Sequence, residues 1–187
     1  MGADAAPPID VTLEAPVSVG LLLDWANEQH AEAVLRLLGH AFEAARAAGI
    51  ERLQDEGGWC VVRGREYRRD TLQIQPYRHY LAGEHVDTPR PHEHLYVGGR
   101  TRSGERTHQD LLPTAALGAQ LSYGRALARE LEDGGVDIRI RTRTPAGWEL
   151  ATVADRAAAI PRQVCRPTVP VAQQIVPTDR WADQGAA

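Results

Sequence analysis

The chain has 187 residues, 43% hydrophobic and 25% charged, with a formal net charge of -4 and a pI near 6.0, the profile of one compact domain of ordinary globular composition. It contains no run of about 18 apolar residues, which excludes a helical membrane span, and its acidic balance argues against a protein that holds nucleic acid mainly through a strongly basic surface. All 21 basic residues are arginine; with the abundance of alanine and glycine this reads as the codon signature of a GC-rich genome and carries no functional weight.

Residues 1–8 are small, acidic and proline-rich, without the basic and apolar regions of a secretory signal. They are expected to be disordered, and the protein cytoplasmic. Cys60 and Cys165 match no metal-ligand spacing, so both are expected to be free thiols. Residues 9–13 alternate apolar and polar and predict a first strand. Ser18 then opens a helical stretch over 19–49, where Leu22, Trp25, Ala26, Ala33, Leu37, Ala41, Phe42 and Ala45 recur near the helical period; Asn27 or Gly39 would interrupt it. Residues 59–63 predict a strand that turns at Gly64 and resumes at Glu66, a hairpin.

Residues 72–81 alternate again, and 94–97 continue into a second strand after the proline-rich turn 88–91, so two antiparallel neighbours are expected. Residues 113–133 predict a helix with Thr114 as N-cap, a shared face of Leu117, Leu121, Leu127 and Leu131, and a stop at Gly134-Gly135. Residues 136–143 and 148–153 predict a second hairpin, with Arg139, Arg141 and Arg143 along one face as a cationic stripe that would suit an anionic substrate. Beyond 159 the chain is punctuated by proline, and an extended or disordered tail is expected. The implied layout is one domain over 9–158 between two tails. The implied fold class is α+β, a central antiparallel sheet with helices packed on it.

Seven histidines occur in the chain, and four of them are His79, His85, His92 and His94. Residues two apart in a strand face the same side, so His92 and His94 can present both imidazoles to one ion, with a third from His79 or His85. Neutral imidazole is a common metal ligand, and three nitrogen ligands leave positions open for water or substrate, as in catalytic sites. Tyr77, Tyr80 and Tyr96 lie near this cluster in sequence and are candidate nucleophiles once a cation lowers the phenol pKa from about 10.

The run from His85 to His94, written His-x-Asp-Thr-x-x-x-His-x-His, resembles the third motif of the TrwC/TraI-type conjugative relaxases, members of the HUH endonuclease superfamily. Residues 9–19 are similar to their "DLTFSAPKSVS" segment, Tyr77-Arg78-His79 to their "FRH", and residues 121–153 to their following helix and "WE" hairpin. The resemblance covers residues 9–153 and implies a relaxase-like, palm-like fold. In that family three histidines hold a divalent cation at the scissile phosphate, and a tyrosine on an earlier strand attacks it. The resemblance implies His92 and His94 as ligands, His79 or His85 as the third, and Asp10 as the carboxylate that orients a histidine.

Where the family carries its lysine in "PKSVS" this chain has Val17, and its first tyrosine is Tyr67. The expectation is therefore a three-histidine metal enzyme on a relaxase-like scaffold that lacks the N-terminal tyrosine segment, has lost DNA nicking and acts on a small molecule. The alternatives are a metal-dependent DNA relaxase or nickase, and a non-catalytic module that binds single-stranded DNA. Magnesium or manganese would serve the nuclease, and iron, copper or zinc the metabolic enzyme.

Overall fold

A computed structural model describes residues 7–64, 66–80, 90–140 and 148–151. The two expected tails therefore fall almost wholly outside the described residues, as do Cys165, His85, Arg141 and Arg143. Cys60 is a buried free thiol whose Sγ lies 3.3 Å from the Arg68 carbonyl.

The fold is α+β: an antiparallel sheet packed against helices. Strand β1 (Ile9–Glu14) leads into helices α1 (Val17–Glu28) and α2 (Glu32–Gly57). The break between the helices falls at 29–31, where His30 takes a φ of 51°, a value that a continuing helix cannot contain. Neither proposed break falls there: Asn27 lies inside α1 and Gly39 inside α2. Strands β2 (Trp59–Val62) and β3 (Glu66–Arg69) form the expected hairpin. Arg63 and Gly64 turn it with φ of 52° and 76°, the left-handed region that glycine enters without penalty.

Strand β4 (Leu72–His79) pairs antiparallel with β5 (His92–Thr101), as the alternation predicts. The second strand is longer than expected and takes in His92 itself. Strand β6 (Arg106–Thr107) has only two residues, too few to show a period, and was not anticipated. A 3-10 turn (Gln109–Leu111) then runs into α3 (Leu112–Asp133), and β7 (Ile138–Ile140) pairs antiparallel with β8 (Trp148–Leu150) as a separate two-stranded sheet. The main sheet runs β1-β5-β6-β2-β3, with β4 also on β5.

The core lies between one face of this sheet and the helices, where Val11, Leu13, Leu95 and Val97 meet Ala41, Phe42, Ala45, Ala119, Tyr123 and Leu127. Helices α2 and α3 approach closely through small residues. A Cβ built on Gly49 would come within 2.6 Å of Leu13 Cδ1 on β1, so that side chain would have to shift, while Tyr123 Cβ on α3 at 3.5 Å would be in ordinary contact.

Two expectations for α3 are corrected. Thr114 is not its N-cap: the helix starts earlier, at Leu112, with Pro113 in its first turn and no side-chain cap. Its buried face runs through Ala115, Ala116, Ala119, Tyr123, Leu127 and Leu131, while Leu117 and Leu121 are 51% and 56% exposed. At about 100° per residue Leu121 lies far round the helix from Leu127, and alanines fill the face where α2 comes nearest. Leu127→Ala should therefore cost about 2–5 kcal/mol, whereas Leu121→Ala should stay near 0.5 kcal/mol; urea titration of both variants checks the difference. No described helix is long and apolar enough to cross a membrane.

Candidate metal centre

Strand β5 alternates strictly: Glu93, Leu95, Val97, Gly99 and Thr101 are buried, and His92, His94, Tyr96, Gly98 and Arg100 take the other face. Its neighbours are in register. His79 is the Cα partner of His92, and Tyr77 and Thr12 are both partners of His94. Directly opposed residues in an antiparallel pair project to one side with Cβ atoms about 5 Å apart. Three histidines from two strands thus meet on the face turned from the helices.

Their ring centroids are 5.3 Å apart for His79 and His92, 4.9 Å for His79 and His94, and 5.0 Å for His92 and His94. One ligand nitrogen from each lies within 4.8 Å of the others. Between the two candidates for the third position, His79 is the one the sheet brings to this triad; His85 lies outside the described residues.

The hydrogen bonds around the triad decide which nitrogens face the gap. His94 Nδ1 lies 2.9 and 2.8 Å from the two carboxylate oxygens of Asp10, which is 3% exposed. His92 Nδ1 lies 2.7 Å from the Arg90 carbonyl. Both acceptors require Nδ1 to donate, which leaves each Nε2 lone pair for a cation. Burial, then the neighbouring His94 and His92, lower the His79 pKa below its usual 6.5, against the pull of Asp10. All three features suit neutral imidazole donors to a divalent ion, and the residues present fit such a group.

The sign of the pH dependence follows. A ligand imidazole must be neutral, so protons compete with the cation as pH falls through the histidine pKa. With His79 lowered, its share of the affinity holds through the usual value of 6.5 and is lost only at more acid pH. Manganese titrations across pH 5 to 8 should show flat affinity at the upper end of that range and a fall at the lower, where protons displace the ion from imidazole; affinity that climbs on acidification would be inconsistent with these ligands.

Of the three candidate tyrosines, Tyr80 lies just past the end of β4, and the other two divide. Tyr96 stacks on His94, with centroids 5.9 Å apart and planes 10° apart, and burial, then Asp10, hold its phenol above the ordinary value. Tyr77 is 53% exposed and packs edge-on to His79 at 4.9 Å. Arg139 lies on β7, opposite Glu149, in the sheet separate from the one that carries the histidines.

On the helix side of the same strands is a pair that the sequence reading passed over. Glu93 is fully buried and takes a 2.6 Å hydrogen bond from Arg78 Nε, while Arg78 Nη2 reaches Glu43 at 3.1 Å and Arg46 stands 3.9 Å from Glu93. Arg78 and Glu93 are register partners one step from the His79–His92 pair, so their ion pair fixes β4 against β5 in the register that aligns the histidines. The signal was present: opposite parity to the histidines places both on the core face.

No protein-family model matches this sequence, and neither does any of the curated proteins compared with it. Solved structures do match. A metal-free structure of the conjugative relaxase TrwC in complex with oriT DNA has a TM-score of 0.60 at 23% identity, over 78% of this chain and 50% of that one. A metal-bound TrwC–oriT structure matches with a TM-score of 0.60 at 23% identity, over 78% and 49%. TrwC complexed with a 27-mer DNA comprising the recognition hairpin and the cleavage site gives 0.58 at 22% identity, over 80% and 52%. The chain spans about half the length of these structures. By this likeness it has the fold of the TrwC conjugative relaxase.

Proposed function

We propose that this chain is a metal-dependent domain acting on single-stranded DNA, with His79, His92 and His94 holding one divalent cation at a phosphodiester. The observation that carries the reading is the convergence of the three imidazoles with the Nδ1 atoms of His92 and His94 already engaged. A bound divalent ion would supply Lewis-acid polarisation of the phosphate. Asp10 accepts the His94 Nδ1 proton and so sets the tautomer and ring angle. Tyr96 buttresses the same ring from its face. Tyr77, half exposed beside His79, is the tyrosine we propose as the nucleophile: its phenol oxygen would bond to phosphorus as one strand P–O bond breaks, the departing oxygen leaving as a hydroxyl with the phenol proton.

The fold supports this reading, since the TrwC structures that share it are DNA complexes, one of them metal-bound. The small-molecule reading gains less. A cavity of about 470 Å³ is lined by Leu23, Asn27, Leu35, Leu38, Gly39, Phe42 and Tyr80, and none of the three histidines borders it.

The experiment is cleavage of end-labelled single-stranded DNA by the purified chain with Mg2+ or Mn2+. Scission that stops with chelator, and a tyrosyl-DNA adduct lost in Tyr77→Phe, are expected. A metal-loaded protein that neither binds nor cuts the strands would overturn the reading. Scission that persists in Tyr77→Phe would remove only the nucleophile assignment.

A further inference from the structure

The sheet face that carries the histidines continues beyond them. Along β5 it runs from His92 and His94 through Tyr96 and Gly98 to Arg100. Arg100 is the Cα partner of Arg106, Arg106 of Val61, and Val61 of Tyr67, so the same face crosses β6, β2 and β3. In the next row Arg69 stands opposite Trp59 with its guanidinium 5.8 Å from the indole centroid. His108, two residues on from Arg106, stacks on Tyr67 with centroids 5.0 Å apart and planes 21° apart. Tyr67 is 62% exposed. The far end of the histidine face is thus a set of aromatic rings set among arginines.

The charge is local. The register places Arg69, Arg100 and Arg106 on this face, in a chain whose net charge is -4. Asp55 answers Arg69 at 3.1 Å. Arg100 donates to the Gly104 carbonyl at 2.8 Å. Six residues separate His94 from Arg100, about 20 Å of strand, which is the length of about six stacked nucleotides. Flat rings accept any base face and guanidinium groups accept phosphates, so the surface complements a flexible polyanion that carries aromatic bases.

We propose that this platform holds the single strand whose phosphodiester lies at the histidines, with Tyr67 and His108 stacking bases and Arg106 gripping a phosphate. It rests on the single-stranded-DNA reading of the metal centre, but on other residues, so the two fail separately.

The test is fluorescence anisotropy of the full chain with a labelled oligothymidylate of about 16 nucleotides, the upper end of the site size for one single-strand-binding fold, with Mn2+ present and salt varied. Tyr67→Ala should weaken binding by about 5- to 100-fold and Tyr67→Phe should restore it. Arg106→Ala should flatten the slope of log affinity against log salt by about 0.7. Manganese uptake should be unchanged in all three. Wild-type affinity in Tyr67→Ala and Arg106→Ala, with metal uptake still lost in His92→Ala, would overturn the platform and leave the metal centre standing. Absence of single-strand binding by the wild type would overturn both. Poly-glutamate bound as tightly as DNA, with the same loss in Tyr67→Ala, would make the surface one for acidic protein and also overturn the proposal.

Discussion

His94→Ala is expected to lower divalent-metal affinity by more than about 100-fold, because it removes a donor nitrogen rather than a supporting group, whose loss costs about 10- to 100-fold. Asp10→Ala should fall in that smaller range: the His94 ring remains, but the carboxylate 2.8 Å from its Nδ1 is gone. His40 serves as the internal control. Its Nε2 lies 3.3 Å from Glu130 and its side chain is 73% exposed, outside the triad, so His40→Ala should take up metal like the parent chain. Isothermal titration with Mn2+ or Zn2+ ranks the three variants, and equal losses in His94→Ala and His40→Ala would show that the ligands have been misassigned.

The second large effect is on stability. Arg78→Ala removes the 2.6 Å hydrogen bond to a carboxylate that is fully buried and leaves it only Arg46 at 3.9 Å among the described ion pairs, and breaking a buried pair from one side costs about 3–5 kcal/mol. It also removes the guanidinium that sits 5.1 Å from the Phe42 ring centroid, a smaller loss of about 0.5–2 kcal/mol. The Tyr123 hydroxyl, buried without a hydrogen-bond partner among the described residues, has its pKa raised well above the usual value by burial and then by Glu93. It therefore stays a neutral phenol near that carboxylate. Because Arg78–Glu93 is the register pair beside His79–His92, metal uptake should weaken along with stability. Arg78→Ala combined with Glu93→Gln should recover part of the stability, since the orphaned charge is then gone; denaturant midpoints for the single and double variants check this.

The sequence made the histidine pair legible because a strand has a period of two and His92-Glu93-His94 fits it without ambiguity. It left the third ligand open because strand pairing is a tertiary fact: the register sets His79 opposite His92, and His85 lies outside the described residues. The same parity rule would have found Arg78 and Glu93 on the core face, had the even and odd positions been compared across both strands. In α3 the leucine periodicity misled, because Leu117 and Leu121 are large and apolar yet exposed, while the face against α2 is built from alanines. Volume at a close helix contact, not hydrophobicity alone, selects those residues. The two-residue strand β6, on which the path from Arg100 to Tyr67 depends, is too short for any periodicity.

Anomalous diffraction from crystals soaked in Mn2+ examines the triad most directly. One strong peak should appear among His79, His92 and His94, about 2.1 Å from an imidazole nitrogen of each, with Asp10 still on the far side of the His94 ring. A peak coordinated elsewhere, or a metal-soaked crystal in which these three rings carry no anomalous density between them, would contradict a metal centre at this place.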